Sequence, residues 1–176
     1  MKQILLKSGN LALRHIMFSD GKDYFSIFQN KEARRGLMGI PRTLAGAKKE
    51  LKSKISRMNR RNPLIETFAI LVNGIFAGYV EIHDLSYGFV KHRAAIGYCV
   101  DPQFRGQGVA TRAVQLAVPY AFKKYHLKRL TGTCRTFNKA SARVLEKSGF
   151  KLEGILRKNK FKDGKYLDDM VWAKVC

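Results

Sequence analysis

Apolar residues recur at helical spacing in two long stretches of this 176-residue chain and at strand spacing in several shorter ones. The clearest helix runs from Val109 to Tyr125, where Ala110, Ala113, Val114, Ala117, Ala121 and Tyr125 form one stripe. Pro119 falls inside it and, lacking an N–H, should cost about 3 kcal/mol or force a bend near Gln115 unless tertiary contacts compensate. A second helix is predicted from Thr43, with Leu44, Ala47, Leu51, Ile55 and Met58 on its apolar side. Before it, Leu11-Ala12-Leu13-Arg14 alternates like a short strand, Asp20 is placed to cap a helical stretch through Tyr24, Phe25, Ile27 and Phe28, and Gly36, Gly39 and Pro41 make a break.

From Thr67 the period becomes two. Phe68 to Val72, Asn73-Gly74, then Ile75 to Asp84 predicts a hairpin with a type I′ turn. In its second arm Phe76, Val80 and Ile82 alternate with Tyr79, Glu81 and His83, which predicts one core face and one polar face. Ala94 to Val100 has the length and apolar content of a buried strand ended by Asp101-Pro102, and Leu130 to Arg135 predicts another. Asn138-Lys139-Ala140-Ser141 opens a helix closed at Gly149. Leu152 to Leu156 and Tyr166 to Val175 flank the turn Lys162-Asp163-Gly164-Lys165.

Length predicts one domain, able to bury about 70% of the surface its unfolded form exposes. No apolar run approaches the roughly 20 residues of a membrane span, and Lys7, Asn10 and Arg14 break the first hydrophobics before a signal-peptide core forms; cytoplasmic residence is the expectation. Cys99, Cys134 and Cys176 have no metal-ligand spacing, so reduced thiols and no metal are expected. Charge changes the picture more: 34 Lys+Arg against 13 Asp+Glu give a net charge of +21. Between Lys31 and Arg61 stand eleven basic and two acidic residues. That run is either a solvated helix face or a docking surface for an acidic partner such as ribosomal RNA; basic residues alone do not separate the two.

Candidate chemistry centres on the loop between the strand ending at Val100 and the helix beginning at Val109. Its glycines, Gly106 and Gly108, let backbone approach a ligand, and the free N–H groups of the helix's first turn face whatever occupies the loop, for which a diphosphate is suited. The loop is neither a Walker loop, lacking Gly-Lys-Ser/Thr, nor the dinucleotide pattern, lacking the third glycine.

Gln103-x-x-Gly106-x-Gly108-x-Ala110 resembles the acyl-coenzyme A pyrophosphate loop of the GNAT N-acetyltransferases. Three further stretches resemble the RimJ/RimL-type branch of that family, the ribosomal-protein N-terminal acetyltransferases: Ile96-Gly97-Tyr98; Asn138-x-x-Ser141-x-Arg143-Val144-Leu145-Glu146-Lys147-x-Gly149-Phe150; and Glu153-Gly154-x-Leu156-Arg157 with Asp163-Gly164 and Asp168. The likeness is strong from Ala94 to Trp172 and architectural before Glu66, apart from Leu11-x-Leu13-Arg14. It implies a single α/β (α+β) GNAT-type acyl-CoA N-acyltransferase domain over residues 1–176. A mixed sheet of about seven strands would be flanked by about four helices, with an acceptor side in residues 1–65 and a cofactor core with C-terminal hairpin in 66–176.

The resemblance also implies site roles. Acetyl-coenzyme A would lie along the fourth strand, with Tyr98, Cys99 and Val100 offering backbone to the pantetheine arm. Arg105, Gly106, Gln107, Gly108, Val109, Ala110 and Thr111 would cradle the pyrophosphate, Asn138 would reach the pantetheine, and Arg143 would lie near the nucleotide end. Acetyl transfer needs a neutral amine, donors for the developing oxyanion and a proton for the leaving thiolate. The Val100 N–H is the expected oxyanion donor, Ser141 the thiolate's proton donor with Cys134 as fallback, and Asn138 and Ser141 can equally serve a helix cap. Relatives often carry glutamate where this chain has Ala95, and Glu81 acting through water is the expected substitute base.

A lysine needs roughly 3.5 kcal/mol more than an α-amine to lose its proton at cell pH, so a site without an evident strong base suits a protein N-terminus. A small amine (polyamine, amino acid or aminoglycoside) is the alternative acceptor, and a non-catalytic RNA- or ribosome-associated module keeping the fold is the alternative from another class. Monomer and homodimer both stay open.

Overall fold

The computed structural model describes residues 3–85 and 88–176, with the side chains of residues 31–33 and 88 outside the description. The chain forms β1 (Leu6–Ser8), β2 (Leu11–His15), α1 (Gly21–Ile27), α2 (Lys31–Gly36), α3 (Leu44–Met58), β3 (Ile65–Val72), β4 (Ile75–His83), β5 (Arg93–Val100), α4 (Val109–Tyr125), β6 (Arg129–Arg135), α5 (Lys139–Lys147), β7 (Lys151–Lys162) and β8 (Lys165–Val175). The described residues thus hold eight strands and five helices, against the expected seven and four. The additions are β1, which has only three residues, and α2, which has six and ends at Gly36. Elements so short carry too few apolar repeats to stand out by periodicity.

The strands form one sheet in the order β1-β2-β3-β4-β5-β6-β8-β7, antiparallel throughout except for β5 with β6. Helices cover both faces. α4 packs its stripe of Val109, Ala113, Val114, Ala117 and Ala121 onto Leu11, Leu13, Phe68, Val80 and Ile96. On the opposite face Tyr24, Ile27 and Phe28 of the first helical segment and Ala47 and Leu51 of α3 build a second core with Phe76, Tyr79 and Cys99.

This two-sided burial corrects the half-polar hairpin. Asn73 and Gly74 do take the positive φ values, 50° and 80°, of a type I′ turn. The β3–β4 register shifts between Ile70 and Leu71, however, and that bulge changes the phase of the second arm. Phe76 therefore joins Tyr79 rather than Val80 and Ile82.

Asp20 is also not the cap its position suggests. Its carboxylate makes no side-chain cap bond to α1, because it is buried against Arg14, accepting both guanidinium NH2 groups at 2.7 Å and the Met17 N–H at 2.8 Å. The helix expected to bend near Gln115 runs uninterrupted across Pro119, and the Gln115 amide donates to the Lys147 carbonyl, tying that turn of α4 to the end of α5. α5 ends as expected: the Gly149 and Phe150 N–H groups return to the Glu146 and Leu145 carbonyls in a Schellman motif.

Candidate active site

The site begins where two parallel strands part. β5 and β6 pair only at Arg93–Ala95 with Arg129–Thr131, after which β6 follows β8 as far as Arg135 while β5 continues beside β4 to Val100. Hydrogen-bond alternation fixes which way the unpaired part of β5 faces. The Asp101 N–H donates to the Ala77 carbonyl at 2.9 Å, which makes Val100 opposite Gly78 a non-hydrogen-bonded pair. The N–H and C=O of Val100, and by the period of two those of Tyr98 and Ile96, therefore point away from β4 into the gap.

One end of that gap meets the glycine loop. A 3-10 turn at Pro102–Phe104 is capped by Asp101, whose carboxylate accepts from the Gln103 N–H at 3.0 Å. Gly106 and Gly108 then take φ of 74° and 71°, a region costly for side-chain-bearing residues, and nothing lies within 4 Å of where a Cβ would stand on either. Gly108 is the N-cap of α4 and no side chain caps the helix there, so the first-turn N–H groups, from Val109 through Thr111, face outward. Arg105 lies back along the loop, its Nε donating to the Val100 carbonyl at 3.3 Å. Arg112 is committed elsewhere, clamping the Ser8 carbonyl and Asn10 side chain of the β1–β2 turn.

Across the gap stands α5. Asn138 accepts from the Ser141 N–H at 3.1 Å, so its carbonyl oxygen serves as the helix N-cap. The Tyr98 hydroxyl lies 2.9 Å from both the Ser141 carbonyl and Ser141 Oγ, bridging β5 to α5 where the strands have parted. Burial holds the Tyr98 hydroxyl well above the usual tyrosine range, partly opposed by its bond to Ser141. Cys134, beside Ser141 and Trp172, is likewise raised by burial. Tyr98, Ser141 and Cys134 thus form one cluster of protonated groups on the gap. Cys99 faces the other way into the α1–α3 core, its thiol pushed up to about 11 by burial against the pull of Arg105. Arg143 is exposed on α5.

Glu81 is not inside the gap. It shares the α3 face of β4 with Tyr79, and its Oε2 accepts from Lys54 Nζ at 2.5 Å and Thr67 Oγ1 at 2.8 Å. Opposite it stands Gly97, and the His83 ring lies beside that glycine, its Nε2 3.6 Å from where a Cβ on Gly97 would stand. A proton acceptor here can reach the gap only past that glycine. The Lys54 ammonium was hidden in the Lys31 to Arg61 run, whose members divide in the fold. Lys54 pairs with Glu81, Arg34 donates to the Phe28 carbonyl, Arg35 lies over the Phe137 ring, and Lys49, Lys52, Arg60 and Arg61 are exposed. The Lys31 side chain falls outside the described residues.

Two contacts of the site escaped the sequence. The Tyr98 hydroxyl was weighed only as backbone, since a strand tyrosine carries no sign of its cross-gap partner. Lys54 sits 27 residues from Glu81, and nothing in a run of lysines marks the paired one. Among the described residues no group of three or more His, Cys, Asp or Glu is placed to hold a metal ion, and no helix is long and apolar enough to cross a membrane.

Residues 10–151 match the family described as the acetyltransferase (GNAT) domain. The chain is 41% identical over 96 residues to the probable N-acetyltransferase YjcK of Bacillus subtilis, covering 54% of this chain and 52% of that one. It is 30% identical over 188 residues to the uncharacterized N-acetyltransferase YoaA of the same organism, covering 97% and 96%. The chain therefore spans about half the length of YjcK and nearly all of YoaA. Its fold is shared with RimL, a ribosomal alpha-N-protein acetyltransferase solved in complex with coenzyme A, at a TM-score of 0.87 and 22% identity over 98% of both chains.

Proposed function

The chain belongs to the acetyltransferase (GNAT) domain family, and from that premise we propose that it acetylates the N-terminal α-amine of a protein, a ribosomal protein first, using acetyl-coenzyme A in a ternary complex in the cytoplasm. The observation that carries the reading is the unladdered edge of β5, whose Tyr98 and Val100 main-chain groups face a gap ending at the uncapped first turn of α4.

The residues present fit a thioester carried on a diphosphate. Outward N–H groups at a helix N-terminus and open space above Gly106 and Gly108 suit phosphate oxygens, and an exposed strand edge suits the amides of a pantetheine arm. When bound, acetyl-coenzyme A supplies an activated acyl carbonyl. Arg105 to Thr111 would hold its diphosphate, and Tyr98 would align its arm by strand-like hydrogen bonds. The Val100 N–H donates to the oxyanion, an interaction stronger in the transition state than before it. Tyr98 and Ser141, each carrying a proton the site does not remove, stand ready to return one to the departing sulfur. Glu81, fixed by Lys54 and Thr67, takes the amine's proton through water across Gly97.

A polyamine would meet Lys54 and the basic run around it, which disfavours a cationic small acceptor. RimL, whose fold the chain shares, bears a name that supports the choice of an α-amine. Incubation with acetyl-coenzyme A, ribosomal extract and a set of small amines, followed by mass spectrometry, tests the reading. Label on protein N-termini is expected; label confined to a polyamine, antibiotic or free amino acid overturns it, and no label on any amine favours a non-catalytic module.

A further inference from the structure

A cavity of about 590 Å³ between the loop that follows α2 and the β7–β8 turn has no part in the reaction above. Arg34, Arg35, Arg42 and Lys162 line it, with Leu37 and Ile40 as apolar wall. One carboxylate, Asp163, shares the lining, yet among the described residues none of the four cations forms an ion pair. Three of the four are aimed by other contacts. Lys162 Nζ donates to the Arg34 and Leu37 carbonyls and pins the hairpin turn to α2, Arg34 Nε donates to the Phe28 carbonyl, and the Arg35 guanidinium lies 4.5 Å from the Phe137 ring centroid. Arg42 is exposed and makes no bond among the described residues. Four cations against the one carboxylate of Asp163 leave an excess of positive charge that repels itself, so the arrangement suits a further anion.

The cavity lies beside the gap. Phe137, under Arg35, precedes Asn138, the N-cap of the helix whose Ser141 bonds Tyr98. Asn138 Nδ2 is 3.8 Å from where a Cβ on Gly36 would stand. Leu37 and Ile40 pack into the core containing Tyr79 and Cys99, which is the face opposite α4 and its glycine loop. A chain whose first amine enters the gap from that face runs on past these arginines.

We propose that this cavity binds the carboxylate side chains of the acceptor polypeptide, so that the protein prefers N-termini followed within a few residues by Asp or Glu. The proposal rests on the acceptor being a protein N-terminus. Guanidinium forks match carboxylates in pairs, and the apolar wall suits the aliphatic stems of an extended peptide.

Initial rates with two peptides, identical except that Asp and Glu in one are Asn and Gln in the other, test it. The acidic peptide should have a KM about five- to tenfold below its amide twin, and the ratio should shrink with added salt. Arg42→Glu and the milder Arg42→Gln should each bring the ratio toward one. Lys123→Glu, with the same change of net charge as Arg42→Glu but at the far end of α4, should leave it in place. Equal KM values in the native protein, a ratio untouched by both Arg42 variants, or an equal loss in Lys123→Glu overturns the proposal while leaving N-terminal acetylation intact. Turnover of neither peptide alongside turnover of a polyamine defeats the acceptor reading itself, and this proposal with it.

Discussion

The side chains proposed to carry the chemistry depend on contacts that only the fold creates. Glu81→Gln removes the proposed proton acceptor yet keeps a group able to accept from Thr67, so kcat/KM should fall by about 10²-fold with the folded state retained, as steady-state rates and thermal melting will show. A variant as active as the parent would remove Glu81 from the mechanism. Tyr98→Phe leaves the β5 edge but deletes the hydroxyl that meets Ser141 Oγ, and kcat should fall about tenfold with the KM for acetyl-coenzyme A nearly constant. The thiols offer an independent check. Burial pushes Cys99 up to about 11 and raises Cys134, while Cys176 is exposed, so at pH 8 a disulfide reagent should modify Cys176 promptly and the other two much more slowly. Prompt reaction of two would contradict the packing. The motif residues at 98, 105–111, 138, 141 and 143 could be proposed from the sequence because each belongs to a local pattern of spacing. Tyr98 to Ser141 and Lys54 to Glu81 were not, being contacts across 43 and 27 residues that no local pattern encodes.

Secondary-structure elements were the most legible level, and their departures have local causes. The α4 bounds agree with the apolar stripe, since a 17-residue amphipathic helix repeats its signal many times. The phase of β4 could not be read, because the register shift between Ile70 and Leu71 leaves no mark in composition. Gly78 shows how tight that region is: φ is 149° and an added Cβ would lie 2.2 Å from the Cys99 carbonyl oxygen. Gly78→Ala should destabilise by about 2–4 kcal/mol in chemical denaturation; a loss under about 0.5 kcal/mol would mean the strands can separate freely there. Glu66 of β3 links three elements. Its buried carboxylate receives His15 at 2.6 Å, Tyr120 and Lys124 at 2.8 Å, and Tyr125 at 2.5 Å. Burial alone would raise its pKa, but these donors together outweigh it and bring the group from 4.5 down to about 2. A folded-state value below the unfolded one adds stability that is complete above about 4.5 and is lost as pH falls toward 2, about 3 kcal/mol in all. Glu66→Gln should lower the melting temperature at pH 7 and flatten the acid limb between those values. Unchanged acid slopes would show that the network does not hold the charge.

At the scale of the molecule, the sheet acts as a frame that parts β5 from β6 and brings α4 and α5 to the two sides of the opening. The strand order and glycine turn made that frame legible through resemblance, whereas the basic run between Lys31 and Arg61 did not declare its uses. Folding divides it among a pair with Glu81, the lining of a cavity and an exposed remainder including Lys49, Lys52, Arg60 and Arg61. If that remainder docks on RNA, ribosome binding should weaken steeply between about 50 and 200 mM salt, and an affinity flat in salt excludes it. The most direct test of the whole account is a crystal structure with acetyl-coenzyme A bound. The diphosphate should lie against the main-chain N–H groups of Arg105 to Thr111 and the thioester carbonyl within hydrogen-bond distance of the Val100 N–H. Phosphates seated elsewhere, or a thioester away from the edge of β5, would contradict it.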